Sequence, residues 1–120
     1  MDAALRQRLM ADGQRACNEG DFYAAHEHWE AVWLKTVEPE RRWIQALIQL
    51  ATGLHKLQAA RADLCRNLVM KALAKLHDAP AMLDGLDVTR LQEDATALLR
   101  ALERGETPDA RSFRVHAARA

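Results

Sequence analysis

Two cysteines, three prolines, five glycines and an aromatic content of 5% leave this chain of 120 residues with few of the devices that non-helical small folds use. Cys17 and Cys65 stand alone, without a CxxC pair or a dense cysteine framework. This excludes a disulfide-stapled scaffold and suits two reduced thiols in the cytoplasm. β-Branched residues are scarce as well, which disfavours extended sheet. Charge of one sign is missing: 17 basic residues balance 17 acidic ones. No global field therefore draws the chain to nucleic acid or to an anionic membrane, and little charge opposes self-association, so a homodimer is a candidate assembly. No apolar run approaches the roughly 20 residues of a membrane span, and Met1 to Arg8 lack the apolar core of a signal peptide. Walker, Rossmann and serine-elbow motifs are absent too.

What is present is helix-forming sequence. Ala and Leu abound, and the length fits one domain with a modest core. Asp2 caps a first helix carrying Leu5, Leu9 and Ala16, which ends at Gly20. Asp21 opens a second, running to about Lys35. Pro39 and Glu40 begin a third through Trp43, Leu47, Leu50, Leu54 and Leu57, and a fourth spans about Asp63 to His77. Pro80 and Gly85 bracket a short segment before Asp87 or Thr89 caps a last helix with Leu91, Ala95, Leu98, Leu99 and Leu102 inward. These signals predict an all-α, single-domain bundle of antiparallel helices joined by short loops, loosely like tetratricopeptide hairpins, over residues 1–105. Residues 106–120 are expected to form a loosely ordered tail.

The second helix concentrates the chemistry, because Phe22 to Trp33 contains two histidines, two glutamates and two tryptophans. At about 100° per residue, Phe22, Trp29 and Trp33 define a buried stripe. His26 falls within that stripe, Glu30 lies at its edge, and Glu27 is rotated away and needs a partner from another helix. Trp29, Trp33 and Trp43 are expected to form a core cluster. His26-Glu27-His28-Trp29-Glu30 has the HExxE form, which imitates the zincin motif with its second histidine replaced. His26, Glu27 and Glu30 are therefore the candidate catalytic residues. His26 and Glu30, with His55 from the third helix, are the candidate metal ligands. The structural alternative is that His26 and Glu30 close a buried polar pair. On the third helix Gln45 and Gln49 stand one turn apart, extended by Thr52 and Lys56; with Trp33 they are candidate ligand contacts, or else an exposed polar face. Arg41 and Arg42 read as a short surface pair.

The run from Asn18 to Trp33, followed by Trp43-Ile44-Gln45-Ala46-Leu47-Ile48-Gln49-Leu50-Ala51 and by Asn67 to Leu76, resembles an uncharacterised bacterial and archaeal helical family, domain-of-unknown-function family 309. The resemblance covers roughly residues 10–105. It implies a helical bundle and makes His26, Glu27, Glu30, Trp33, Gln45 and Gln49 the matching motif positions, with Ala46 standing where the family pattern commonly has Gly. It implies no activity. The sequence thus supports a small helical binding or assembly module for a protein or small polar ligand, without cofactor. The alternative is a metal-assisted or acid-base hydrolase using the same His/Glu cluster and a divalent metal.

Overall fold

Each helix begins where the chain supplies a cap or a turn. The computed structural model describes residues 1–119. Among them are α1 (Ala3–Asn18), α2 (Phe22–Trp33), α3 (Glu40–Gln58), α4 (Ala62–Leu76) and α5 (Val88–Glu103), with a two-stranded ribbon, β1 (Met82–Leu83) and β2 (Leu86–Asp87), before α5. Asp2, Asp21 and Asp87 cap α1, α2 and α5 by accepting from the backbone N–H groups of Leu5, Ala24 and Arg90 at 2.7, 3.1 and 2.9 Å. These bonds satisfy donors that a helix start otherwise leaves free. Helix α2 stops at Trp33, earlier than the expected Lys35, where Thr36 Oγ1 donates to the Val32 carbonyl at 2.6 Å.

Packing follows chain order: α1 lies on α2, α2 on α3, α3 on α4 and α4 on α5, in a body of 43 × 26 × 26 Å. The all-α expectation holds. The short segment bracketed by Pro80 and Gly85 adds one departure from helix, the β1–β2 ribbon. Asp84 and Gly85 both adopt positive φ, at 47° and 85°, and turn the chain so that Leu83 pairs with Leu86 and both are buried. An Asp-Gly pair between two leucines is the signal for such a turn. Arg6 ties this turn to the helices, donating to Asp84 at 2.8 and 3.1 Å, to Thr36 Oγ1 at 2.9 Å and to Glu40 at 3.3 Å.

The C-terminal segment corrects the expectation of a loose tail. A short 3₁₀ turn at Ala110–Ser112 leads to Val115, whose side chain is buried. The Val115 carbonyl accepts from Gln14 and Asn18 at 3.0 and 2.9 Å, and its N–H donates to Asn18 Oδ1 at 2.7 Å. Leu86 bridges to Ala117. Residues 115–118 are therefore strapped across α1 and the ribbon, while Ala120 lies outside the described residues.

Rotation of the helices brings further corrections. The buried residues of α1 are Met10, Gly13, Ala16 and Cys17, with Leu5 exposed. Those of α2 are Phe22, Ala25, Trp29 and Val32, so its stripe is turned toward the two small residues and Trp33 is only half-buried. The cause lies in α1. A Cβ built on Gly13 would sit 2.2 Å from Trp29 Nε1, so the indole fills the space a side chain would take, and its N–H donates to the Met10 carbonyl at 3.3 Å. The three tryptophans meet different partners, with Trp33 and Trp43 only partly buried against the core that holds Trp29. Trp29 is core, Trp33 lies beneath Arg41, and the Trp43 N–H donates to Asp78 Oδ1 at 3.1 Å. In α3, Ala46 is fully buried, and the glycine against a neighbouring helix is Gly53, facing Leu68 and the Cys65 backbone of α4.

These environments set stability in a testable order. Trp29→Ala should cost about 3–5 kcal/mol in urea unfolding, and the half-buried Trp33→Ala only about 1–2 kcal/mol. Gly13→Ala should lose about 1–3 kcal/mol by overpacking, although Ala favours helix by about 1 kcal/mol. Ala60 closes α3 at φ 63°, the left-handed position that Gly20 and Gly105 fill after α1 and α5. Ala60→Gly should therefore stabilise by about 1 kcal/mol, raising the calorimetric Tm by about 4 °C.

Candidate functional site between α2 and α3

Helices α2 and α3 are joined by the short Leu34 to Pro39 connection and run antiparallel, with Trp33 near Arg41 and Phe22 near Lys56. Two recesses open along their seam. The wider, of about 270 Å³, is lined by Phe22, Tyr23, His26, Thr52, His55 and Lys56. The narrower, of about 160 Å³, is lined by His26, Glu30, Trp33, Gln45 and Ile48. His26 is common to both.

The seam follows from the seating of Trp29. With that ring directed at α1, the residues three positions before and four after it lie about 40–60° round from it on one flank of α2, the flank toward α3. His26 Nε2 stands 3.1 Å from Glu30 Oε2, with the side chains 30% and 44% exposed. The expected pair therefore forms, but at the mouth of the groove and not in the core. It is an ion pair when the imidazole is protonated. Gln45 joins Glu30 and Trp33 in the narrower recess. Gln49 is half-buried, and its Oε1 has no donor among the described residues.

Glu27 has no ion pair with another helix among the described residues. It lies one turn beyond exposed Tyr23, and its carboxylate, through hydrogen bonding and then charge repulsion, holds the Tyr23 phenol above its ordinary pKa. Glu27 itself is exposed and lines neither recess. His55 is exposed and lines the wider recess, whereas Glu30 lines the narrower. Among the described residues no three His, Cys, Asp or Glu side chains converge to hold a metal ion. His26 and Glu30 offer two donors, short of the three protein ligands usual for catalytic zinc.

Arg41 is the residue that sequence reading passed over. Its guanidinium carbon stands 3.9 Å from the Trp33 ring centroid, a cation–π stack. Read at helical spacing, Arg41, Gln45, Gln49, Thr52 and Lys56 form one continuous face of α3, and that spacing was the available signal. Trp33 Nε1 and Arg41 Nε are both buried without an acceptor among the described residues.

The family comparison coincides with this seam. The family model described as Domain of unknown function (DUF309) matches residues 10–68. The DUF309 segment contains all of α2 and α3 and thus both recesses. The chain is also similar to an uncharacterized protein of Aquifex aeolicus (strain VF5), at 30% identity over 102 residues, which are 84% of this chain and 31% of that protein. The chain thus spans about a third of the length of that curated relative.

No cysteine supplements the DUF309 seam. Cys17 and Cys65 are buried, and burial pushes their thiols up to about 12 and about 11. Both remain protonated at neutral pH and are weak nucleophiles. Ellman's reagent at pH 8 should accordingly leave the native protein almost unlabelled and titrate two thiols after denaturation; rapid labelling of the native state would contradict this burial.

Proposed function

We propose that the DUF309 segment is a non-catalytic binding module whose α2–α3 seam takes a small polar ligand or a protein segment. One observation carries the reading. Among the described residues the buried side-chain polar atoms without partners are Trp33 Nε1, Arg41 Nε and Gln49 Oε1; Trp33 lines the narrower recess, Arg41 stacks on it, and Gln49 stands one turn after the recess-lining Gln45. Buried polar groups are normally satisfied, and leaving one unpaired costs about 1–3 kcal/mol, so unpaired atoms on these two helices favour a ligand that completes them when the seam opens. Balanced charge argues against nucleic acid as that ligand. The two buried free thiols suit the reducing cytoplasm. No helix among the described residues is long and apolar enough to cross a membrane.

The hydrolase alternative draws on the half-exposed His26–Glu30 pair, in which a carboxylate stands beside a histidine able to act as a base. It lacks support from Glu27, which is turned to Tyr23, and from a third metal-capable side chain. The binding reading requires neither.

Fragment titration followed by ¹⁵N–¹H NMR tests the proposal, using simple carboxylates, carboxamides and amines at millimolar concentration. Binders should move the Trp33 indole and Gln49 side-chain resonances while leaving the Trp29 and Trp43 indoles in place. Shifts confined to other regions, or none with any fragment, would sink it. Near-stoichiometric metal in untagged protein, lost in folded His26→Ala, would transfer support to the hydrolase.

A further inference from the structure

The two walls of the wider recess differ in chemistry. On the α2 side the polar heads are already engaged: Tyr23 hydrogen-bonds Glu27, and His26 Nε2 stands 3.1 Å from Glu30 Oε2. Their rings remain as wall. The Tyr23 and His26 ring centroids lie 6.1 Å apart with the planes 37° from parallel, and buried Phe22 lines the same recess. On the α3 side the polar heads are free. His55 is exposed and Lys56 half-buried; both line the recess, and neither has an ion pair among the described residues. Thr52, the remaining lining residue, donates its hydroxyl to the Ile48 carbonyl at 2.9 Å.

This division names the kind of molecule that fits. No Asp or Glu lines the wider recess, so the Lys56 ammonium there meets no built-in counter-charge and is complemented by an anion, to which a His55 ring N–H adds a second donor. The opposite wall of three rings is complemented by a flat apolar body, in the offset or edge-to-face arrangements that aromatic pairs prefer. A bare inorganic anion would leave the rings uncovered, and an uncharged ring would leave the ammonium unmatched. Ligand pockets begin at about 300 Å³, so a recess of about 270 Å³ admits one ring with its substituent and excludes a nucleotide.

We infer that the wider recess binds a small aromatic anion, with its ring against Phe22, Tyr23 and His26 and its charged group on Lys56 and His55. The inference rests on the binding-module reading and names the ligand class of one of its recesses. Aryl carboxylates and aryl phosphate monoesters share this chemistry.

Benzoate and phenyl phosphate, with benzamide, acetate and inorganic phosphate for comparison, form the test. Each is titrated into untagged protein while the His26 and His55 ring resonances are followed by NMR, the distant His77 and His116 rings serving as references. The tighter of the two aryl anions identifies the head group. It should bind at least about tenfold more tightly than benzamide and than its ring-free counterpart, acetate or inorganic phosphate. Lys56→Gln should bring that anion down to the benzamide level, and Lys56→Arg should keep most of the affinity. Tyr23→Ala should weaken the aryl anion and benzamide alike by about fivefold and leave the ring-free anions unchanged. All three variants should melt with the wild type, since Tyr23 is exposed and Lys56 has no ion pair. Equal binding of aryl anion and benzamide would overturn the charged head, and a ring-free anion binding as tightly would overturn the aromatic body. If no aryl anion moves the His26 and His55 rings while other fragments move the Trp33 indole, this inference falls and the module stands; if no fragment moves either, both fall.

Discussion

The architecture depends on the seating of Trp29 against Gly13. A glycine in the middle of α1 sacrifices helix propensity, and the return is a notch into which the indole fits, with its N–H taken up by the Met10 carbonyl at 3.3 Å. This contact does more than bury a large ring. It sets how closely α1 and α2 approach, and it fixes the rotation of α2 about its own axis. Once Trp29 faces α1, helical geometry decides where His26, Glu30 and Trp33 must lie, and that is the flank shared with α3.

The remainder of the fold holds that helix pair in place. Arg6 joins the start of α1 to Thr36, Glu40 and the Asp84 turn, so the connection between α2 and α3 is braced from the opposite end of the chain. Asn18 and Gln14 bind the backbone of Val115, which draws the last described residues across α1. Both devices use side chain to backbone or charge-assisted bonds spanning long sequence separations. They order segments whose own sequences carry little helical or strand preference.

Along the braced seam, packing and chemistry part company. Phe22, Ala25, Trp29 and Val32 on α2 and the leucines of α3 fill the interior. His26, Glu30, Trp33, Arg41, Gln45 and Gln49 sit at the edge, half-buried, with the orphaned donors and acceptor among them. The match of residues 10–68 to DUF309 falls on this same pair of helices, whereas α5 and the C-terminal strap lie beyond the matched stretch.

Amino-acid order by itself determined the helices, because their signals are local: aspartate caps on α1, α2 and α5, a proline turn before α3, and apolar residues at helical spacing. It also placed His26 one turn from Glu30 and Gln45 one turn from Gln49, since those spacings are intrinsic to a helix. Tertiary structure decided which way each helix faces. Hydrophobic periodicity weighted the large Trp33 over the small Ala25 and Val32, but Gly13 gave Trp29 a notch in α1, and Trp33 was left at the groove. The metal triad depended on a helix-to-helix meeting of His55 with Glu30 that spacing within one helix cannot specify, and the two line different recesses. Arg41 resembled any surface arginine until the fold laid it over Trp33. The strap after Pro108 was hidden for the same reason: its order comes from Asn18 and Gln14, nearly a hundred residues earlier, and no local pattern records a partner that distant.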